Sequence, residues 1–432
     1  MKRYSAYKDS GIEWVGEMPD RWSTKPLFAV FKERHVPNDG NQEDNVLSLS
    51  YGRIIRRDVD SNFGLLPESF ETYNIVDPLN IVLRLTDLQN DKRSLRCGLV
   101  QEKGIITSAY LTLEKKADID PKYMYYLLHN YDIWKVFYSM GGGVRQSIKF
   151  DALKRLPILL PSLEEQEKIA SYLDSKMGQI DGLIDKKERQ IELLKEERVA
   201  IINQAVTKGL NPRTEMRDSG VEWIGNIPRH WELRKISRSF DYIGSGTTPD
   251  SLNQVYYDGG TIPWVITGDL NDGFLVETSK KITELAIKDY SALKQFPRES
   301  ILIAMYGATI GKSAIVNFAG CCNQACCVLN NSKYFLNEFV LYWFVGNKQN
   351  IISLGLGGGQ PNISQDVIKG LKMPCPPRNE QQQIVDYLSQ KVSKIDDQAI
   401  REQKVIEQLR EYRTSLISEV VTGKIDVREI AA

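Results

Sequence analysis

This chain is written twice, and that duplication limits its possible folds more than any other feature. Residues 9–22 read DSGIEWVGEMPDRW, and residues 218–231 read DSGVEWIGNIPRHW. Between 8–22 and 217–231, eight of fifteen positions are identical, where chance would give about one. A second match lies further along: Glu165, Gln166, Ile169, Tyr172, Leu173, Lys176, Ile180 and Asp181 recur as Glu380, Gln381, Ile384, Tyr387, Leu388, Lys391, Ile395 and Asp396. The offset is 209 in the first block and 215 in the second. Residues 24–140 and 233–355, by contrast, show almost no correspondence. A shared frame with unlike inserts suits two related modules that read different things. A duplicated enzyme would more naturally keep its catalytic constellation in both copies, or abandon one.

The second matched block is helical. Ile180, Ile184, Ile191, Leu194, Ile201 and Ala205 fall on one heptad seam, with Lys187 and Arg198 at two of its positions. Its counterpart runs through Ile395, Ala399, Ile406, Leu409, Leu416 and Val420, and charged stretches such as 185–190 fill the outer faces. No proline interrupts either segment; Pro161 and Pro376 lie just upstream, while Gly178 and Gly182 allow a local bend. Some forty helical residues span roughly 60 Å, and a stripe that long must be buried against something. Its own copy is the nearest partner. The expected fold is therefore α+β: a tandem duplicate of two mixed α/β domains separated by two long helices, which form an antiparallel intramolecular coiled coil with pseudo-two-fold symmetry. The boundaries read as 1–160 and 211–375 for the mixed domains, and 161–210 and 376–432 for the helices and C-terminal tail.

Within the inserts, 45–52, 79–85, 104–114 and 300–307 have the β-branched and aromatic content of strands. Asp120 and Pro121 form an N-cap and N1 pair for a helix, and Asn337 is placed to cap another. Triple glycines follow both, at 141–143 and 357–359. Catalytic groups are scarce. His35, His129 and His230 are scattered without partners at metal-ligand spacing, so the chain is read as holding no catalytic residues, metal or cofactor. GATIGKS (307–313) has three residues between its glycines where a phosphate loop needs four. GSG (244–246) lacks the third glycine of a dinucleotide fingerprint. Cys321, Cys322, Cys326 and Cys327 read as small hydrophobes in a buried strand.

Lys+Arg and Asp+Glu both number 56, which excludes a general basic coat. Six cysteines in 432 residues make no disulfide framework, and no run is apolar enough to span a membrane. With no signal-peptide pattern at the start, a cytoplasmic location is expected. Local patterns nevertheless suit nucleic acid. Arginine and glutamine can bond bidentately to guanine and adenine edges, and the first insert carries YGRIIRR (51–57), Lys92, Arg93 and Arg96, and GVRQSIK (143–149). The second offers amide-rich loops at 244–249, 267–270, 306–312, 323–324 and 357–362. Residues 24–160 hold 19 Lys+Arg against 17 Asp+Glu. Since phosphate neutralisation supplies much of the affinity for DNA, the isolated chain is expected to bind weakly, with another subunit supplying charge.

The repeated D-S-G-(I/V)-E-W-(V/I)-G-x-(M/I)-P-x-x-W block, the helix starts PSLEEQEKIASYL (161–173) and PPRNEQQQIVDYL (376–388), and the segments WVITGDL (264–270) and GATIGK (307–312) resemble the specificity subunit of type I restriction-modification enzymes. The resemblance covers essentially the whole chain and is loosest in the inserts. It implies that each insert is a target recognition domain reading one half of a bipartite double-stranded DNA sequence, with the helices setting the spacer. It also implies a non-catalytic subunit that docks two modification subunits, adenine-N6 methyltransferases, and in the full complex restriction subunits. S-adenosylmethionine and ATP would belong to those partners. On this reading the DNA-contact candidates are Arg53, Arg56, Arg57, Arg93, Arg145, Gln146 and Lys149 in the first domain. In the second they are Thr247, Thr248, Tyr306, Thr309, Lys312 and Gln360. Exposed helix faces around Glu165, Tyr172, Glu380 and Tyr387 are the docking candidates. The alternatives are a coiled-coil scaffold joining two protein-binding modules, and an NTPase built on 307–313.

Overall fold

Each copy of the repeated block closes on itself through the same hydrogen bonds, which accounts for its letters. Asp9 Oδ1 accepts from the Gly11 N–H at 2.9 Å, and Asp218 Oδ1 from Gly220 at 2.9 Å. Ser10 Oγ accepts from Ile12 N–H and Ser219 Oγ from Val221 N–H, both at 3.1 Å. These short side chains supply local acceptors that fold the backbone back, as Asx and Ser turns do. In both copies the turn is framed by two-stranded pairings, Tyr7–Asp9 with Glu17–Pro19 and Met216–Asp218 with Asn226–Pro228.

The computed structural model describes residues 2–57, 69–88, 95–140, 147–355 and 362–429. The chain divides into two units: Met1–Lys187 with Lys404–Ala432, and Glu188–Gln403. Each contains one mixed domain and parts of both long helices, Leu163–Lys208 and Arg378–Val421. In the first unit Ile169, Leu173 and Ile180 share a core with Leu416, Ile417 and Val420. In the second, Ile202 and Val206 share one with Ile384, Leu388 and Val392. The start of each helix thus lies beside the end of the other, the antiparallel pairing expected from the seam. Two ion pairs repeat it at the 215-residue offset: Arg413 with Asp181 at 3.7 Å in the first unit, Arg198 with Asp396 at 2.9 Å in the second. The first helix runs unbroken through Gly178 and Gly182.

Where each mixed domain begins and ends, the frame is again the same. Ser23–Pro26 pairs with Pro157–Leu160, and Glu232–Lys235 with Lys372–Cys375, so each insert starts and finishes at one two-stranded base. Trp22 and Trp231, both almost fully buried, pack there. A left-handed glycine ends the long helix beside each one, Gly423 (φ 72°) at Trp22 and Gly209 (φ 76°) at Trp231. That conformation costs glycine nothing and stops a helix.

Above the base the two domains part. The first builds a four-stranded antiparallel sheet in the order Phe31–Glu33, Leu111–Lys115, Ile81–Leu83, Cys97–Leu99, with the hairpin Leu47–Ser50/Arg53–Arg56 beside it. The second builds a five-stranded mixed sheet centred on Ile301–Ala304, and a three-stranded one of Lys280–Ile282, Ile262–Val265 and Cys321–Cys322. Each strand-like segment of the sequence contains a strand, and 104–114 holds two, Gly104–Ile106 and Leu111–Lys115, which join different sheets. Asp120 does cap its helix, Pro121–Ile133, by accepting from Tyr123 N–H at 2.7 Å. The cap expected at Asn337 is a correction. Leu336 occupies that position, its N–H is held by Gln381 Oε1 at 2.8 Å, and Asn337 Nδ2 donates to the Glu299 carbonyl instead. The four cysteines lie in two buried strands, not one, because 323–325 forms a turn between Cys321–Cys322 and Cys326–Ser332.

Candidate nucleic-acid interface

In the first unit a hairpin carries three of the candidate cations. Its turn is Tyr51 (φ 45°) and Gly52 (φ 78°), and it pairs Ser50 with Arg53 and Leu47 with Arg56. Arg53 and Arg56, at the two ends of the second strand, are both exposed. Both meet carboxylates. Arg53 Nη2 lies 2.6 Å from Asp181 on the first long helix, and Arg56 grips Glu102 through two bonds of 2.9 and 2.7 Å. That fork holds the Glu102 carboxyl below the usual carboxylate range. Arg57 is half-buried on the same hairpin, and Lys149 is exposed beside the short helix Phe150–Leu153. Arg93, Arg145 and Gln146 lie outside the described residues, as do both triple glycines. Tyr51, 87% exposed at the hairpin tip, is the residue that sequence reasoning passed over.

Arg96 is a second correction. The sequence sets it among the DNA-facing cations, yet it is fully buried. Its guanidinium donates to the carbonyls of Arg84, Thr86 and Asp87 and to Tyr138 Oη. A buried charge needs this many acceptors. Ile148 N–H also bonds to the Leu85 carbonyl at 2.9 Å, so Arg96 braces the backbone on which residues 147–149 rest.

The second unit brings separate loops together. Thr248 Oγ1 donates to Gln324 Oε1 at 2.6 Å, and Gln324 in turn hydrogen-bonds Tyr306. Burial raises the Tyr306 phenol above its ordinary value, and this bond opposes the shift. Three amide-rich loops, at 244–249, 306–312 and 323–324, therefore converge. The Thr247 carbonyl accepts from the buried Trp264 Nε1 at 3.2 Å. Thr309 and Lys312 are half-buried in the connection between Ile301–Ala304 and Ser313–Val316. This segment joins two antiparallel strands, with Ile310 N–H bonded to Gly307 O and Gly311 N–H to Ala304 O. A phosphate loop must lead from a strand into a helix, so 307–313 is a hairpin connection. Gln360 lies outside the described residues.

The docking candidates divide. Glu165 is buried and accepts from Tyr4 Oη at 2.5 Å, and Tyr172 is buried in the first core. The expectation of an exposed face fails at both, because each serves its own unit. Glu380 is partly buried and lies 2.9 Å from His230 Nε2, while Tyr387 is exposed. Other titratable groups are structural. Burial pushes the Cys321 thiol up to about 11 and those of Cys322 and Cys327 up to about 12. Burial, aided by Arg413, lowers His129 to about 4. No helix among the described residues is long and apolar enough to cross a membrane.

A repeated frame that carries two unlike polar-loop domains on paired helices defines a duplicated two-module reader. The chain belongs to the type I restriction modification DNA specificity domain family, whose model matches residues 100–193 and 228–408. It is 26% identical over 325 residues to the type I restriction enzyme MjaIX specificity subunit of Methanocaldococcus jannaschii, covering 73% of this chain and 71% of that one. To the StySPI specificity subunit of Salmonella potsdam it is 22% identical over 441 residues, covering 95% and 90%. Among solved structures, a chain described under complex assembly and conformational transition of the type I R-M system superposes with a TM-score of 0.70 at 15% identity, covering 94% and 99%. The HsdS subunit from Thermoanaerobacter tengcongensis gives 0.54 at 15% identity, covering 94% and 98%. These two likenesses show the fold.

Proposed function

We propose that this chain is the DNA sequence-specificity subunit of a type I restriction-modification complex. The mixed domains of residues 1–160 and 211–375 each read one half of a bipartite target, and the long helices set the spacer. The observation that carries this reading is the contrast within one chain. The closing bonds around Ser10 and Ser219 repeat, and Gln166 and Gln381 each hold the N–H of a helix N-cap residue and a proline carbonyl, while the sheets above them differ in strand number and order. Selection for two different sequences on one mount accounts for that contrast.

The chain itself performs no chemistry on this reading. Methyltransferase subunits that bring S-adenosylmethionine act on an adenine whose position this chain fixes, and ATP-driven restriction subunits join in the full complex. Base and phosphate contacts fall to Arg57, Lys149, Arg145 and Gln146 in the first domain, and to the Thr248, Tyr306 and Gln324 cluster in the second. Because Arg53 and Arg56 are already paired with carboxylates, they contribute less to phosphate neutralisation than their number suggests. Footprinting of the chain assembled with its methyltransferase subunits tests the proposal. Two protected half-sites flanking an unspecific spacer support it. Protection without sequence preference, or tight binding by the isolated chain equal to that of the complex at the same salt, overturns it.

A further inference from the structure

The three-stranded sheet of the second unit places two lysines next to the polar-loop cluster. Its central strand, Ile262–Val265, runs antiparallel to Lys280–Ile282, setting Lys280 opposite Trp264 and Lys281 opposite Pro263. On its other side it runs parallel to Cys321–Cys322, which leads directly into the turn that presents Gln324. A cleft of about 390 Å³ lies here, lined by Thr248, Gln254, Trp264, Lys280 and Lys281 among others. Thr248 belongs to both features, since it lines the cleft and donates to Gln324. Both lysines are exposed, and among the described residues neither ammonium is in an ion pair, unlike Arg53 and Arg56 in the first unit.

The hydrogen-bond capacity of Gln324 sharpens the reading. A glutamine amide has two acceptor sites on oxygen and two N–H donors. Here Thr248 occupies one acceptor site on the oxygen. The second acceptor site beside an N–H donor gives this exposed side chain a donor–acceptor pair. That pair is complementary to the major-groove edge of adenine, which offers the N6 amino group as donor and N7 as acceptor.

Resting on the proposed function, we propose that Lys280 and Lys281 anchor DNA phosphates at this cleft, and that Gln324, held by Thr248 and Tyr306, reads an adenine in the half-site of the second domain. The two roles separate experimentally, because phosphate contacts carry affinity and base contacts carry sequence. The assay is DNA binding by the chain assembled with its methyltransferase subunits across a range of salt, with mapping of the methylated motif. The double variant Lys280→Ala/Lys281→Ala keeps the motif, binds more weakly, and lowers the slope of log K against log salt by about 2. Gln324→Ala keeps the slope but loses discrimination at one adenine of one half-site, roughly tenfold to a hundredfold. An unchanged slope in the first variant, or an unchanged motif in the second, overturns the assignment. Absence of any bipartite motif with the unaltered chain instead defeats the functional reading on which it rests.

Discussion

Replacing Gln381 by methionine removes its polar atoms with little change of volume and tests what the Glu-Gln pair of each copy does. Gln381 is fully buried, and its amide makes three bonds: it accepts from Leu336 N–H at 2.8 Å and donates to the carbonyls of Tyr334 and Pro376 at 2.8 and 2.9 Å. It thereby ties the entry of the helix Asn337–Gly346 to the start of the second long helix. Gln166 makes the equivalent bonds with Asp120 N–H and the Pro161 carbonyl, both at 3.0 Å, without a counterpart to the Tyr334 bond. At about 1 kcal/mol net per bond, Gln381→Met costs about 3 kcal/mol and Gln166→Met about 2 kcal/mol. For a unit of about two hundred residues, each kcal/mol moves the melting midpoint by about 2–4 °C. Calorimetry should therefore show a fall of about 6–12 °C in the second unit for Gln381→Met, and about 4–8 °C in the first for Gln166→Met. Hydrogen exchange locates each effect. Falls below about 1 °C, or exchange that rises in the wrong unit, refute the role given to this glutamine.

Three further outcomes are expected. Arg96→Met strips four acceptors of a buried guanidinium, at about 1.5 kcal/mol or more for each bond to a charged donor. It should abolish reading of the first half-site in methylation mapping while leaving the second intact. His129 is held neutral by burial, with its pKa lowered to about 4. The unfolded chain therefore takes up a proton first as pH falls. The contribution of His129 is complete above about pH 6.5 and is lost progressively toward pH 4, on the order of 3 kcal/mol. Denaturant titrations at pH 7 and pH 5 should show about 2 kcal/mol of this loss in the first unit and none of it in a His129→Phe variant. Truncation after Gly423 removes the buried Ile425 and Val427 and the bond from Asp426 N–H to the Lys2 carbonyl. At about 1.5–3 kcal/mol per buried aliphatic side chain, exchange protection should collapse in the first unit alone.

The frame was legible because its signals are local or periodic. The Asp-Ser-Gly turns, the heptad seam and the Asp120 cap each depend on neighbours within one helical turn or one tight loop. The cap expected at Asn337 failed because its side-chain amide is engaged by the Glu299 carbonyl, 38 residues away. The charge state of the hairpin was hidden for the same reason. Arg53 meets Asp181 across 128 residues and Arg56 meets Glu102 across 46, separations that carry no pattern in a single sequence. Arg96 looked like its neighbours because burial cannot be read from one cation in a basic stretch. Lys280 and Lys281 carry no signal in the sequence, since exposed lysines are ordinary; only the sheet register sets them beside Thr248. The convergence of three loops at Gln324 is likewise a property of strand order.

The central claim is tested most directly by exchanging one reader and leaving the mount. Residues 236–371 would be replaced by the corresponding insert of another family member, and methylated adenines mapped by single-molecule sequencing in a host supplying the methyltransferase subunits. A bipartite motif in which one half changes, while the other half and the spacer length persist, is the predicted result. A single contiguous motif, or a change in both halves at once, contradicts the account.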